Sequence, residues 1–171
     1  MKIAINPGHF DSLDSGAVGQ NGTHEATVVY SIAQRLQQRL NDESYQTVFI
    51  SSNELQEICD IANSEQADYF ISIHANACDN HYVQGAETWY MSDTGKELAK
   101  SIQEQMIVRE NNRGIKNSVG LYVLRHTDMP AVLVECAFIS NADEEAFLST
   151  EEGQDFFAES IYRGLEAYLN E

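Results

Sequence analysis

Basic residues are scarce in this chain. Only 10 Lys and Arg stand against 27 Asp and Glu, which gives a formal net charge of −17 at pH 7. Nucleic acids and anionic membrane surfaces are bound mainly through clusters of Lys and Arg. The charge therefore argues against both as partners. The acidity itself is typical of a solvated surface and indicates nothing about the fold.

Cysteine and long apolar runs are also lacking. Cys59, Cys78 and Cys136 are odd in number and have neither CxxC nor zinc-finger spacing, so we expect small buried or partly buried thiols and no disulfide framework. No apolar run approaches the roughly 20 residues that cross a bilayer. Met1 leads directly into a strand-like run, so we expect neither a membrane anchor nor a signal peptide in this chain.

What the sequence does contain is typical of one compact globular domain. Hydrophobic residues make up 43% of its 171 residues, and no repeat, low-complexity tract or proline-rich linker divides it. We therefore predict a single domain over residues 1–171, acting as a monomer.

Strand-like and helix-like segments alternate along the chain. Alternating or continuous apolar runs predict strands near residues 3–5, 47–50, 69–73, 85–91, 121–124 and 131–138. Apolar residues at helical spacing predict helices near 24–40, 54–64, 93–106 and 149–169, capped by Thr23, by Asp93 or Thr94, and by Ser149. Residues 10–23, 78–84 and 111–117 are polar enough to be loops. The pattern predicts an α/β fold, with a twisted, mostly parallel sheet of about six strands, mixed at most at one edge, and helices on both faces.

Three potential metal ligands occupy comparable places in this pattern. His9 and His74 each follow a predicted strand, and Glu25 lies in the first turn of the helix after the first loop. The carboxyl ends of strands in an open α/β sheet meet at one edge, so these side chains can converge. Two imidazoles and one carboxylate are the ligand set of a hydrolytic zinc site. The competing interpretation is that each histidine is a hydrogen-bonded structural residue.

Glu135 interrupts the most apolar strand of the chain, residues 131–138. Burial of an unpaired carboxylate is costly, so such a residue either pairs with a cation or takes part in chemistry. A zinc hydrolase needs a base that is not a ligand, and Glu135 is the candidate. A buried ion pair is the alternative.

His126 follows a predicted strand and could line the cleft, whereas His24 and His81 are not expected to bind metal. Neither HExxH nor Gly-x-Ser-x-Gly occurs in the chain.

A series of motifs in order along nearly the whole chain carries a family resemblance. The matching segments are 5–9, Gly16-Ala17, 21–25, 67–77, 85–90, 112–116, 121–125, 130–135 and 139–141. Through them the chain resembles the zinc-dependent N-acetylmuramoyl-L-alanine amidases of the Amidase_3 family, which includes bacterial cell-wall hydrolases and phage endolysins.

The resemblance implies hydrolysis of the amide between N-acetylmuramic acid and L-alanine in peptidoglycan, at the bacterial cell wall. It places one Zn²⁺ on His9, Glu25 and His74, and catalysis on Glu135. Asn76, Arg113, His126 and Asn141 are candidate substrate contacts. Two other functions stay open: a zinc peptidase or carboxypeptidase acting on another amide, and a wall-binding module without catalysis.

Several positions depart from the family pattern. Asn6 stands where an Asp is usual, Phe10 where a Gly often follows the histidine, and Ala137 where a Gly is often found two residues after the glutamate. Asn6 could alter the group that orients His9. Related Gram-negative division amidases insert an autoinhibitory helix after the strand at 85–91, whereas here residues 91–95 pass directly to the next helix. We therefore expect an open active site.

Overall fold

The chain folds around one mixed six-stranded sheet. The structure, a computed structural model, describes residues 1–10, 14–107, 109 and 111–170, so part of the predicted loop at 10–23 lies outside the described residues. The strands are β1 (Lys2–Pro7), β2 (Gln46–Phe49), β3 (Tyr69–Asn76), β4 (Ala86–Tyr90), β5 (Asn112–Asn117) and β6 (Ala131–Phe138). The helices are α1 (Glu25–Asp42), α2 (Leu55–Ser64), α3 (Asp93–Met106), α4 (Tyr122–His126), α5 (Ala142–Leu148) and α6 (Glu151–Leu169).

The strand order is β2-β1-β3-β6-β4-β5. Every neighbouring pair is parallel except β4 with β6, which is antiparallel. The carboxyl ends of β1, β3 and β6 therefore meet the amino ends of β4 and β5 at one edge of the sheet. The predicted fold class, a mostly parallel sheet between helices, is confirmed.

Alternation along the strands gives the sheet two buried faces. Ile5, Ile71 and Val132 point to the face covered by α1, α3 and α6, where they join the larger hydrophobic core. Phe70 and Leu133, their neighbours along the strands, point to the opposite face, which α2 and α4 cover. Successive side chains of a strand alternate between faces, so His74 and Glu135 also point to the α2 and α4 side.

Two short segments differ in secondary structure from the prediction. Residues 111–117, predicted as loop, contain edge strand β5, and residues 121–124, predicted as strand, lie mostly in helix α4. A short apolar run has no period that separates strand from helix, and here the run packs its apolar side onto the sheet instead of pairing with it. In addition, α5 was not predicted, and the N-caps are His24, Ser92 and Thr150 instead of the predicted residues.

The expectations for thiols and membrane segments can be compared with the described residues. Cys59 and Cys136 are buried and Cys78 is exposed, and no two of these cysteines form a disulfide. Among the helices of the described residues, none has the length and apolar character needed to cross a membrane.

Candidate metal centre

His9 is held in an uncommon backbone conformation just after β1. Its φ is 61°, in the left-handed region that non-glycine residues rarely adopt. Its Nδ1 lies 2.8 Å from Asp14 Oδ2. A carboxylate only accepts hydrogen bonds, so Nδ1 donates and the lone pair of Nε2 is left for a metal. The hydrogen bond to His9 is the main reason why the pKa of Asp14 lies below its ordinary value.

Glu25, the first residue of α1, is buried and fixed through both carboxylate oxygens. The backbone N–H of Ala75 donates to Oε1 at 3.0 Å, and that of Ala17 donates to Oε2 at 2.9 Å. Burial raises the pKa of Glu25, but the hydrogen bond and charge of His74, together with the other donors, more than offset this effect. The pKa therefore lies below its ordinary value, and Glu25 is an anion at neutral pH.

His74 completes the group from β3, at a register shift between β3 and β6. Its Nδ1 lies 3.2 Å from Glu25 Oε1, and His9 Nε2 lies 3.4 Å from Glu25 Oε2. The two imidazole rings meet edge to face with their centroids 5.4 Å apart. Gly8 allows this approach, because a Cβ at that position would lie 2.1 Å from His74 Cε1.

These distances can be compared with those of a zinc site. One ligand atom from each of His9, Glu25 and His74 lies within 4.8 Å of the other two. Bonds of about 2.0–2.1 Å to a tetrahedral Zn²⁺ place neighbouring ligand atoms roughly 3.3–3.4 Å apart. The separations of His74 Nδ1 from Glu25 Oε1 and of His9 Nε2 from Glu25 Oε2 are close to that value, each to a different oxygen of the carboxylate. The three side chains form a possible metal site, and their donor set fits Zn²⁺ with a fourth position left for water.

Glu135 lies beside this site, because β3 and β6 pair His74 directly with Glu135. Its Oε2 is fully buried and has no hydrogen-bond partner among the described residues. Burial, with the charges of Glu25 and Glu87, raises the pKa of Glu135 to about 8. No cation pairs with it in the described part of the chain, so the buried ion pair considered above does not form.

Strand β4 runs antiparallel to β6 and pairs its residue Glu87 directly with Glu135. This carboxylate is buried, and it accepts hydrogen bonds from Asn76 Nδ2 at 3.0 Å and Trp89 Nε1 at 3.1 Å. Arg113 Nε and Lys116 Nζ each lie 2.8 Å from its Oε2. Burial raises the pKa of Glu87, but the two cations outweigh burial and bring the pKa below its ordinary value.

The four candidate substrate contacts are placed differently. Asn76 and Arg113 lie beside Glu135 through their contacts with Glu87. His126 lies on α4, where its ring stacks on Tyr122 and its Nδ1 faces the carbonyl oxygen of Tyr122 at 3.0 Å. Asn141 caps α5, and its amide donates to the carbonyl of His81. The structure thus brings Asn76 and Arg113 towards the centre, whereas His126 and Asn141 make local contacts elsewhere. All four roles stay predictions.

Two of the positions that depart from the family pattern, Asn6 and Phe10, can be described by their contacts. Asn6 accepts from Ser72 Oγ and donates to the carbonyls of Ile50 and Pro7, so it joins strands, and Asp14 is the residue that contacts the His9 ring. Phe10 is exposed beside Tyr30, with ring centroids 6.4 Å apart.

Sequence reasoning missed Asp14, Glu87 and Glu145. Asp14 contacts the ring of His9, and Glu87 lies next to Glu135. Glu145 on α5 accepts from the backbone N–H groups of Asn21 and Thr23, which fixes the segment before α1. Asp14 lies five residues after His9 in a polar loop, a weak signal, and the other two are visible only once strand order and α5 are known.

The sheet, the possible metal site and the unpaired carboxylate together define a hydrolytic enzyme domain. The chain belongs to the Amidase_3 family, described as N-acetylmuramoyl-L-alanine amidase, whose family model matches residues 3–167. The predicted family is thereby confirmed.

Relatives and solved structures agree with this assignment. The N-acetylmuramoyl-L-alanine amidase LytC of Bacillus subtilis is 40% identical over 97% of this chain, which spans only 35% of LytC. The amidase AmiC2 of Nostoc punctiforme is 34% identical, with a TM-score of 0.93 over 100% of this chain and 98% of that one. The catalytic domain of CwlV from Paenibacillus polymyxa is 31% identical, with a TM-score of 0.91 over 99% of both chains.

Proposed function

We propose that this chain hydrolyses the amide bond between N-acetylmuramic acid and L-alanine in peptidoglycan, with His9, Glu25 and His74 holding one Zn²⁺ ion. The substrate follows from the family, whose members are described as N-acetylmuramoyl-L-alanine amidases. The proposal places the chain at the bacterial cell wall, where it acts as a monomer.

The observation that carries the proposal is the pairing of His74 with Glu135 across β3 and β6. In this pairing the imidazole of His74 and the unpaired carboxylate of Glu135 lie side by side on one face of the sheet, which supports a metal ligand next to a base. Paired residues on adjacent strands have Cα atoms roughly 5 Å apart, which is a suitable spacing for a base next to the reacting centre.

Each residue has a distinct part in the reaction. When bound, Zn²⁺ lowers the pKa of a coordinated water and polarises the carbonyl under attack. Asp14 keeps Nε2 of His9 free for the metal, and the N–H groups of Ala17 and Ala75 fix Glu25 as an anion. Glu135 accepts the proton of the attacking water and passes it to the nitrogen of the leaving L-alanine. Burial raises the pKa of Glu135, which favours its holding that proton between the two transfers.

Among the described residues, no segment covers His9 and His74 completely. The side chains of His9 and His74 are 29% and 21% exposed. The β4–α3 connection consists of Met91 and Ser92, with no inserted helix. We therefore propose that the chain is active on purified walls without a partner protein.

The test is a digest of purified peptidoglycan analysed by mass spectrometry, with and without a chelator. The expected products are intact stem peptides with a free L-alanine amino terminus and glycan strands with free lactyl carboxylates, formed only without chelator. Cleavage at another amide would favour a peptidase. Wall binding without cleavage would favour a binding module.

A further inference from the structure

A row of charged side chains extends from the metal site across four neighbouring strands. His74 on β3 pairs with Glu135 on β6, and Glu135 pairs with Glu87 on β4. Arg113 and Lys116 on β5 then reach back to Glu87, each at 2.8 Å from the same oxygen, Oε2. The row ends at the edge strand of the sheet, where a ligand can approach.

At the β5 end of this row, two cations, Arg113 and Lys116, contact a single buried carboxylate. One cation would neutralise the carboxylate of Glu87, whose side chain is 3% exposed, yet two contact it. The side chains of Arg113 and Lys116 are 32% and 33% exposed. The excess of one positive charge stands out in a chain with a formal charge of −17.

Both cations are held in place and keep hydrogen-bonding capacity. The Arg113 guanidinium lies 4.8 Å from the centroid of the Phe138 ring, and Lys116 Nζ lies 5.4 Å from that of Trp89. Arg113 uses Nε for Glu87, and within the described ranges no acceptor forms a hydrogen bond with its terminal nitrogens. A guanidinium with a free edge and a neighbouring ammonium group together fit a carboxylate ligand.

The proposed reaction fixes the direction in which the substrate peptide leaves the metal. Glu135 returns its proton to the nitrogen of L-alanine, so this nitrogen must lie on the Glu135 side of the metal. The stem peptide that continues from L-alanine therefore runs over β6 and β4, towards Arg113 and Lys116. The sugar chain must then extend to the other side, past His9.

The reach of the peptide matches the position of these cations. The Arg113 guanidinium lies between Glu87 on β4 and Phe138 on β6. It is thus one to two strand spacings, roughly 5–10 Å, from β3. Two residues of extended chain span roughly 7 Å. The second residue of the stem, D-glutamate joined through its γ-carboxyl group, carries a free α-carboxylate at about this distance from the cleaved bond.

We propose that Arg113 and Lys116, held by Glu87, form a subsite for the free α-carboxylate of the second stem residue. The subsite distinguishes this carboxylate from the primary amide present in walls where the residue is D-isoglutamine. The amide carries no negative charge, and its NH2 group donates hydrogen bonds where the carboxylate offers a second accepting oxygen, so the amide binds the two cations more weakly. This inference rests on the proposed function for the direction of the peptide.

The test compares two product peptides, L-Ala-γ-D-Glu-L-Lys and its α-amide, L-Ala-γ-D-isoGln-L-Lys. Their affinities for the zinc-loaded chain are measured by calorimetry, because products report on binding without turnover. The wild type is expected to bind the acid about tenfold more tightly than the amide. In Lys116→Met, which keeps the Arg113 pair with Glu87, this ratio is expected to fall to about one.

Two variants serve as controls. Lys116→Arg keeps the charge and is expected to keep the preference. Lys96→Ala removes an equal charge from an exposed position on α3, on the other face of the sheet, and is also expected to keep it. A wild type that binds both peptides equally, or a Lys116→Met variant that retains the preference, overturns the subsite.

Hydrolysis of the corresponding muropeptide pair is measured on the same samples. Preferential binding of the acid without hydrolysis would contradict the proposed function and leave the subsite standing. Hydrolysis without preferential binding of the acid would contradict the subsite and leave the proposed function standing. A wild type that neither binds nor cleaves would contradict both.

Discussion

At the scale of single residues, Gly16 is what allows Glu25 and His9, the proposed metal ligands, to approach each other. It has a φ of +62°, and a Cβ there would lie 2.7 Å from both Glu25 Oε2 and His9 Cδ2. We therefore expect Gly16→Ala to displace the ligands and lower zinc affinity by about 10–100-fold, the usual range for disturbed support of a metal ligand. A competitive zinc titration measures this change.

Gly22 provides the matched control for this substitution. Its φ is +86°, but no atom lies within 4 Å of a Cβ placed there. Gly22→Ala thus shares the backbone cost of roughly 1 kcal/mol and leaves zinc affinity unchanged. Equal losses of zinc affinity in the two variants would contradict the placement of Gly16 against the ligands.

The residues of the site could be predicted from sequence to the extent that they lie at strand ends. His9, His74 and Glu135 stand out because each breaks or ends an apolar run, and Glu25 because it begins a helix on the same edge. Glu87 gave no such signal. Its place beside Glu135 depends on the antiparallel pairing of β4 with β6, and no local pattern reveals which strands become neighbours.

At the scale of elements, helix α5 fixes the loop that precedes α1. Glu145 on α5 is fully buried and accepts hydrogen bonds from the backbone N–H groups of Asn21 and Thr23 and from the Asn21 amide. Burial raises the pKa of Glu145, but these donors outweigh burial and bring the pKa below its ordinary value. The folded state therefore favours the ionised form.

This lowered pKa makes the contribution of Glu145 dependent on pH. A depressed pKa stabilises the fold above the unfolded pKa, about 4.3 for Glu, and this stability is lost as the pH falls through the folded pKa. We expect Glu145→Gln to lower the free energy of unfolding by about 1.5–3 kcal/mol at pH 7, and by clearly less at pH 3. Urea denaturation at both pH values measures the difference.

The exposed Glu97 on α3 supplies the control, since Glu97→Gln removes the same charge without those contacts. It is expected to change stability by no more than about 0.5 kcal/mol at either pH. An effect of Glu145→Gln that is as large at pH 3 as at pH 7 would show that its charge is not what holds the loop.

The elements that sequence reasoning misassigned are short and lie away from the main core. The β5 segment is polar and contains Gly114 with φ +78°, so it lacks the alternation that predicts a strand, and pairing with β4 alone makes it one. The apolar residues of α4 cover the sheet face beside the metal site, although the same run also fits a strand. Tertiary packing decided both cases. The long helices and the central strands, whose apolar patterns are extended, were predicted correctly apart from their ends.

At the scale of the whole molecule, the net charge of −17 should oppose approach to an anionic cell wall. Salt shortens the range of this repulsion, from about 30 Å at 0.01 M to about 8 Å at 0.15 M. We expect the KM for intact walls to fall as salt rises over this range, while kcat for a small soluble muropeptide stays nearly constant. Turbidity assays on walls, with product analysis of the muropeptide, measure the two quantities. A KM that rises with salt would indicate attraction through a basic surface instead.

The central claim is that Glu135 acts as the base of a zinc hydrolase and has no part in holding the metal. The most direct measurement determines zinc content and the rate of L-alanine amino-terminus release on the same samples of wild type and Glu135→Gln. We predict one zinc per chain in both proteins and a rate at least about 100-fold lower in the variant. A variant that keeps its zinc and hydrolyses at the wild-type rate would contradict the account.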